Sequence, residues 1–193
     1  MNRHIPGISV FLAVVLMILS GCSAPNNGAS SSGNADPANH KEPAEQVMSV
    51  TDFENLLTSQ PLAVIKTKYV VQDEQYKSLY PDMLQAILQN NTTEDIKNAV
   101  VAFVAWDSNN LPVKIEGQFD FGSGSYVKEV NYADINLAAG DTFGDDSGYS
   151  LGENCEIATF KAIVVSYETF DGDTWDNPYY EDFCSLYERQ KLN

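Results

Sequence analysis

From Pro61 onward, turn signals recur about every ten residues, and the apolar runs between them are short enough only for strands or short helices. Apolar or β-branched residues dominate 62–71, 83–88, 99–106 and 157–167, and strand character resumes over 126–132. Breaks fall at Pro81-Asp82, Asn90-Asn91-Thr92-Thr93, Gly122-Ser123-Gly124-Ser125 and Ala139-Gly140-Asp141. This rhythm predicts about six or seven strands in an antiparallel β-sandwich. Segment 99–106 is almost wholly apolar, as expected of a strand covered on both faces. Segment 113–121 alternates instead, with Val113, Ile115, Gly117, Phe119 and Phe121 on one side and Lys114, Glu116, Gln118 and Asp120 on the other. It predicts a strand with one buried and one wet face. Met83, Leu84, Ile87 and Leu88 satisfy a helical period as well as a strand, and the strand is the favoured reading. Ahead of the strands, Thr51-Asp52-Phe53-Glu54 has capping-box spacing, and Phe53, Leu56 and Leu57 share a helical face. A short helix over 51–58 follows, closed by Pro61.

The N-terminus reads as an address. After Arg3 an apolar run of about a dozen residues occupies 8–19, the length of a signal-peptide core and short of the ~20 residues of a membrane span. It ends in Leu19-Ser20-Gly21-Cys22, the bacterial lipobox pattern. Small side chains there admit the signal peptidase, and the cysteine thiol takes up diacylglycerol. The expectation is a leader over 1–21, a lipidated Cys22 holding the chain to the cell membrane on its extracytoplasmic face, and a disordered tether over 22–46 rich in Ser, Asn, Gly and Pro. Such a tether spans on the order of 25–30 Å root-mean-square. Residues 47–193 then form a single acidic domain.

The formal net charge of −16 argues against nucleic acid and against lying flat on anionic lipid, since both would be repelled. The two histidines are His4, in the leader, and His40, in the tether, so the predicted domain has none. That removes Ser-His-Asp and Cys-His nucleophilic sites and His-ligated metals from its repertoire. No GxGxxG, P-loop or CxxC pattern occurs, and no cofactor is implied. The composition points to a non-catalytic binding domain with a protein or cell-wall partner. Cys155 and Cys184 either pair as a disulfide or remain two separate thiols; both readings stay open.

Two acidic loops stand out. The first, 140–148, carries Asp141, Asp145 and Asp146 among glycines. The second carries Asp171, Asp173 and Asp176 beside Trp175, Tyr179 and Tyr180, in a segment dense in rings. Carboxylates beside aromatic faces suggest a carbohydrate platform over 171–183, and clustered oxygens suggest calcium. The second loop is no EF-hand, because counting from Asp171 its fifth and sixth positions are Trp175 and Asp176. No metal ligands are assigned.

Scattered motifs add a likeness. They are Leu79-Tyr80-Pro81-Asp82, Asn90-Asn91-Thr92 with Ile96-Lys97, Ala105-Trp106-Asp107 with Leu111-Pro112-Val113, and Asn136-Leu137 with Gly140. Lys161-Ala162-Ile163-Val164 with Tyr167-Glu168, and Gly172-Asp173-Thr174-Trp175 with Asn177-Pro178, continue the series. In these the chain resembles an uncharacterised domain family of Bacillus-type lipoproteins, of the YcdA type. The resemblance implies an immunoglobulin-like module of an exported protein, with no established reaction and no catalytic residues.

Overall fold

The computed structural model describes residues 48–193 apart from Lys77, Ser78 and Asn154. Cys22, the leader and the tether lie outside the described residues. Helix α1 (Val50–Thr58) opens the domain, with the Ser49 hydroxyl accepting from the Asp52 N–H and buried Phe53 as its apolar anchor. The capping residue is Ser49 rather than Thr51. Strands β1 (Leu62–Val70), β2 (Met83–Asn90) and β3 (Ile96–Trp106) follow, so 83–88 is strand rather than helix. Then come β4 (Pro112–Val113), β5 (Lys128–Tyr132), β6 (Thr142–Phe143), β7 (Tyr149–Ser150), β8 (Thr159–Thr169), β9 (Thr174–Asp176) and helix α2 (Tyr180–Tyr187).

The molecule is mostly β, with two antiparallel sheets and two short helices. One sheet runs β1-β2-β6, with β7 also on β2. The other runs β4-β3-β8-β9, with β5 also on β3. Strand β3 explains the layering. Val101, Phe103 and Ala105 point one way and join Leu84, Ala86 and Leu88 of β2 in the main core. Ala102, Val104 and Trp106 point the other way and meet Phe53 of α1 and Phe183 and Tyr187 of α2. Burial on both faces is why this strand is apolar throughout. The Trp106 indole N–H donates to the Gln190 carbonyl at 2.7 Å, so its polar atom is satisfied inside the second core. Among the described residues no helix is long and apolar enough to cross a membrane.

Segment 113–121 departs from its alternating pattern. Only Pro112–Val113 pairs with β3, because β5 occupies the same edge of β3 over 99–103. Ile115 stays buried through an isolated bridge to Ser125, and Gly117 bridges Leu151. Beyond Gly117 the alternation has no partner strand to satisfy it. Phe119 and Phe121 are 80% and 104% exposed.

The acidic 140–148 loop is structural. Its two flanks, β6 and β7, pair with opposite ends of β2. Gly144 (φ 117°) passes so close to the Ala86 carbonyl that a Cβ would collide with backbone, which requires glycine there.

Candidate functional site

The 171–183 segment does not form one platform. Asp171, Gly172 and Asp173 make the exposed turn of the β8–β9 hairpin, with the Thr169 N–H donating to the Asp173 carbonyl at 2.9 Å. Trp175 lies in β9 and stacks on Tyr167, ring centroids 5.3 Å apart, against the main core. Tyr179 packs edge-on to Phe53, 6.4 Å away, in the second core. The two rings therefore sit on opposite faces of the five-stranded sheet, and the side-by-side stacking surface expected of them is absent. Among the described residues no three His, Cys, Asp or Glu side chains gather to hold a metal ion.

The structure assembles something else beside Asp176. The outer face of the five-stranded sheet is covered by the helices over Ala102, Val104 and Trp106. Towards the Ile96 end it is bare, and there the outward side chains turn polar. One rung crosses four strands as Asn131, Val100, Ser166 and Asp176. The next runs Asn98, Glu168 and Thr174. Together they floor a trough of about 380 Å³. Asn98 is fixed at both ends, its amide N–H donating to Glu168 at 2.7 Å and its carbonyl accepting from the Asp134 N–H at 2.9 Å. One rung toward the helices, the Tyr180 hydroxyl donates to Glu129 at 2.5 Å. Burial and this carboxylate push the Tyr180 phenol far above its usual value, so it stays protonated as a donor. Of the ring-segment residues singled out by sequence, only Asp176 lines the trough, and Tyr180 stands beyond the next rung.

The trough was hard to foresee, because its residues are separated in sequence and meet only through strand pairing. The available signal was weak: Ser166 and Glu168 alternate with Tyr167, and Asn98 stands near the start of an otherwise apolar strand.

The disulfide weighed for Cys155 and Cys184 is not what the structure holds; both thiols are free. Cys155 packs against the main core and donates to the Glu116 carbonyl at 3.2 Å. Cys184 sits on α2, across the five-stranded sheet, and an intact sheet between them forbids a bond. Burial pushes the Cys184 thiol up, against a smaller opposing effect of Tyr180, which makes it a poor nucleophile.

A second feature lies toward the opposite end of β3, where Lys128 pairs with Phe103. In the 117–125 loop, Asp120 turns inward. Its carboxylate accepts from Lys128 at 2.7 Å, from the Gly117 N–H at 2.8 Å and from the Tyr149 hydroxyl at 2.9 Å. The Lys128 ammonium foremost, and then the Gly117 N–H, lower its pKa to about 2. Phe119 and Phe121 flank this anchor and point into solvent.

Comparison with known proteins fits this picture. No curated protein matches the chain. A crystal structure of a hypothetical protein from Peptoclostridium difficile 630 is similar, with a TM-score of 0.58 and 14% identity over 69% of this chain and 94% of that one. At that identity the likeness speaks for the fold alone. Residues 83–190 match the family of unknown function DUF5780, a span that runs from β2 through α2 and so takes in the trough and the 117–125 loop, while α1 and β1 lie before it. By that match, the chain belongs to the DUF5780 family.

Proposed function

We propose that this chain is a non-catalytic binding domain displayed outside the cell membrane by a lipid on Cys22, and that it engages its partner in the trough. The trough carries the reading. It sets carboxylates, an amide and hydroxyls on adjoining strands of a rigid sheet, where positions are fixed better than on loops. Glu168 and Asp176 accept, Ser166 and Thr174 donate or accept, and Val100 provides an apolar centre. A partner bearing hydroxyl or amine groups matches this floor, as wall components and protein loops both do. A saccharide would be held by hydrogen bonds alone, since Trp175 faces the core. Absence of histidine from 48–193 supports binding over turnover.

Leu19-Ser20-Gly21-Cys22 and the polar stretch after it support the membrane-anchored, extracytoplasmic placement and a likeness to Bacillus-type lipoproteins of the YcdA type. Strand order supports the immunoglobulin-like reading. β1-β2-β6 stands for A-B-E, and β5-β3-β8-β9 for C′-C-F-G. The deciding experiment measures retention of the purified lipoprotein on purified cell wall and on intact cells stripped of it. Asp176→Ala with Asn131→Ala should lower retention at least about tenfold, or ~1.4 kcal/mol. Unchanged retention by a folded variant sinks the trough as the binding site.

A further inference from the structure

We infer that the Phe119–Phe121 tip dips into the headgroup–acyl boundary of a lipid bilayer, an inference that rests on the reading of Cys22 as a membrane anchor. The tip's only charged residue is Asp120, and it is folded inward onto Lys128, Tyr149 and Gly117. In a chain of net charge −16, the outer surface of this loop therefore carries no free charge. Lys114 stands at its base, its ammonium 3.2 Å from the Ser123 hydroxyl. Nothing lies within 4 Å of where a Gly122 Cβ would be, so the loop is a convex wedge.

Two phenylalanines held outward on a fixed, uncharged wedge beside a lysine have the chemistry of an interfacial membrane contact. Other exposed apolar side chains lie at the same end. The 71–82 loop holds out Val71, Leu79 and Tyr80, and its Pro81 lines one cavity together with Gln118 of the wedge and the carboxylates of Glu74, Asp82 and Glu153, which belong to the acidic body behind the tip. The acidic body would be repelled by an anionic leaflet, and so the contact is confined to the tip. Anchoring makes a shallow contact sufficient, because attachment through Cys22 to the same bilayer would hold the tip at about millimolar effective concentration near the membrane.

The test uses the full lipoprotein in vesicles of phosphatidylcholine and phosphatidylglycerol, with Phe121→Trp and separately Phe119→Trp. Native Trp106 is buried and Trp175 is stacked on Tyr167, so the wild-type chain supplies the background. In the vesicles the added indole should emit at shorter wavelength and be quenched by brominated phosphatidylcholine at least about twofold more than the wild type. If the chain floats with the vesicles while both added indoles emit as in water and escape quenching, the anchor stands and the tip proposal falls. If the N-terminal peptide proves unlipidated, excess vesicles added to the same variants still decide the tip: quenching retains it, and no quenching overturns it.

Discussion

Strand β3 and the 117–125 loop both carry large apolar side chains, yet those of β3 are buried while Phe119 and Phe121 of the loop stand in solvent. β3 has a hydrogen-bonded partner along each edge, β8 on one side and β5 and β4 on the other. It also has a core on each face. Beyond Gln118, whose N–H still donates to the Ser150 carbonyl, and up to Ser125, which bridges Ile115, the loop has neither, and the Asp120 carboxylate ties it to the body. The contrast teaches that side-chain character decides burial only where the backbone finds partners, because an unpaired N–H or C=O cannot follow the ring into an apolar interior. Where partners run out, a single charge-assisted knot shapes the chain and apolar side chains remain outside.

The sharpest way to break this contrast is at Trp106. It is 1% exposed, lies edge-on to Tyr187 at 5.9 Å and donates to the Gln190 carbonyl. Trp106→Ala removes the largest side chain of the second core and orphans that carbonyl. The expected loss is about 3–5 kcal/mol, read as a fall in the urea midpoint. A loss under ~1 kcal/mol would mean that the helices hardly hold the outer face.

The same contrast explains how much was legible in sequence. Strand β3 was legible because continuous apolarity over 99–106 has one common cause, cover on both sides. Helix α1 was legible through the shared face of Phe53, Leu56 and Leu57 and through Pro61, although its cap is Ser49 and not the Thr51 that the spacing suggested. Helix α2 was not: Tyr180, Phe183, Cys184 and Tyr187 do follow a helical period, but the density of rings over 167–187 drew attention as a binding segment instead. Segment 113–121 misled because alternation records a preference for a face and says nothing about whether an edge is free to pair. The trough escaped for a related reason, since Asn98, Asn131, Ser166 and Asp176 meet only through the pairing of four strands.

A smaller effect is expected where the knot itself is cut. Asp120→Asn keeps the shape and can still accept from Gly117, but it loses the charge paired with Lys128. The carboxylate side chain is 29% exposed, so screening trims the raw electrostatic gain and the expected loss is about 1 kcal/mol near pH 7. The sign is fixed by the depressed pKa, about 2 in the folded chain against 3.8 ordinarily. Stability from Asp120 is complete above about pH 4 and is lost as pH falls through about 2. Urea melts of both chains should therefore differ near pH 7 and converge near pH 2. A gap that persists in acid would show that shape, and not charge, holds the loop.

The smallest effect is expected at the rings that this knot holds out. Phe121→Ser removes a side chain with no core contact, so it opens no cavity and leaves no buried group unpaired. The urea midpoint should move by less than about 0.5 kcal/mol, and Phe119→Ser should behave alike. A fall greater than ~1 kcal/mol from either variant would mean that the ring folds back onto the body in solution. In that case the alternation of 113–121 reports a buried face after all, and β3 and the loop differ only in degree.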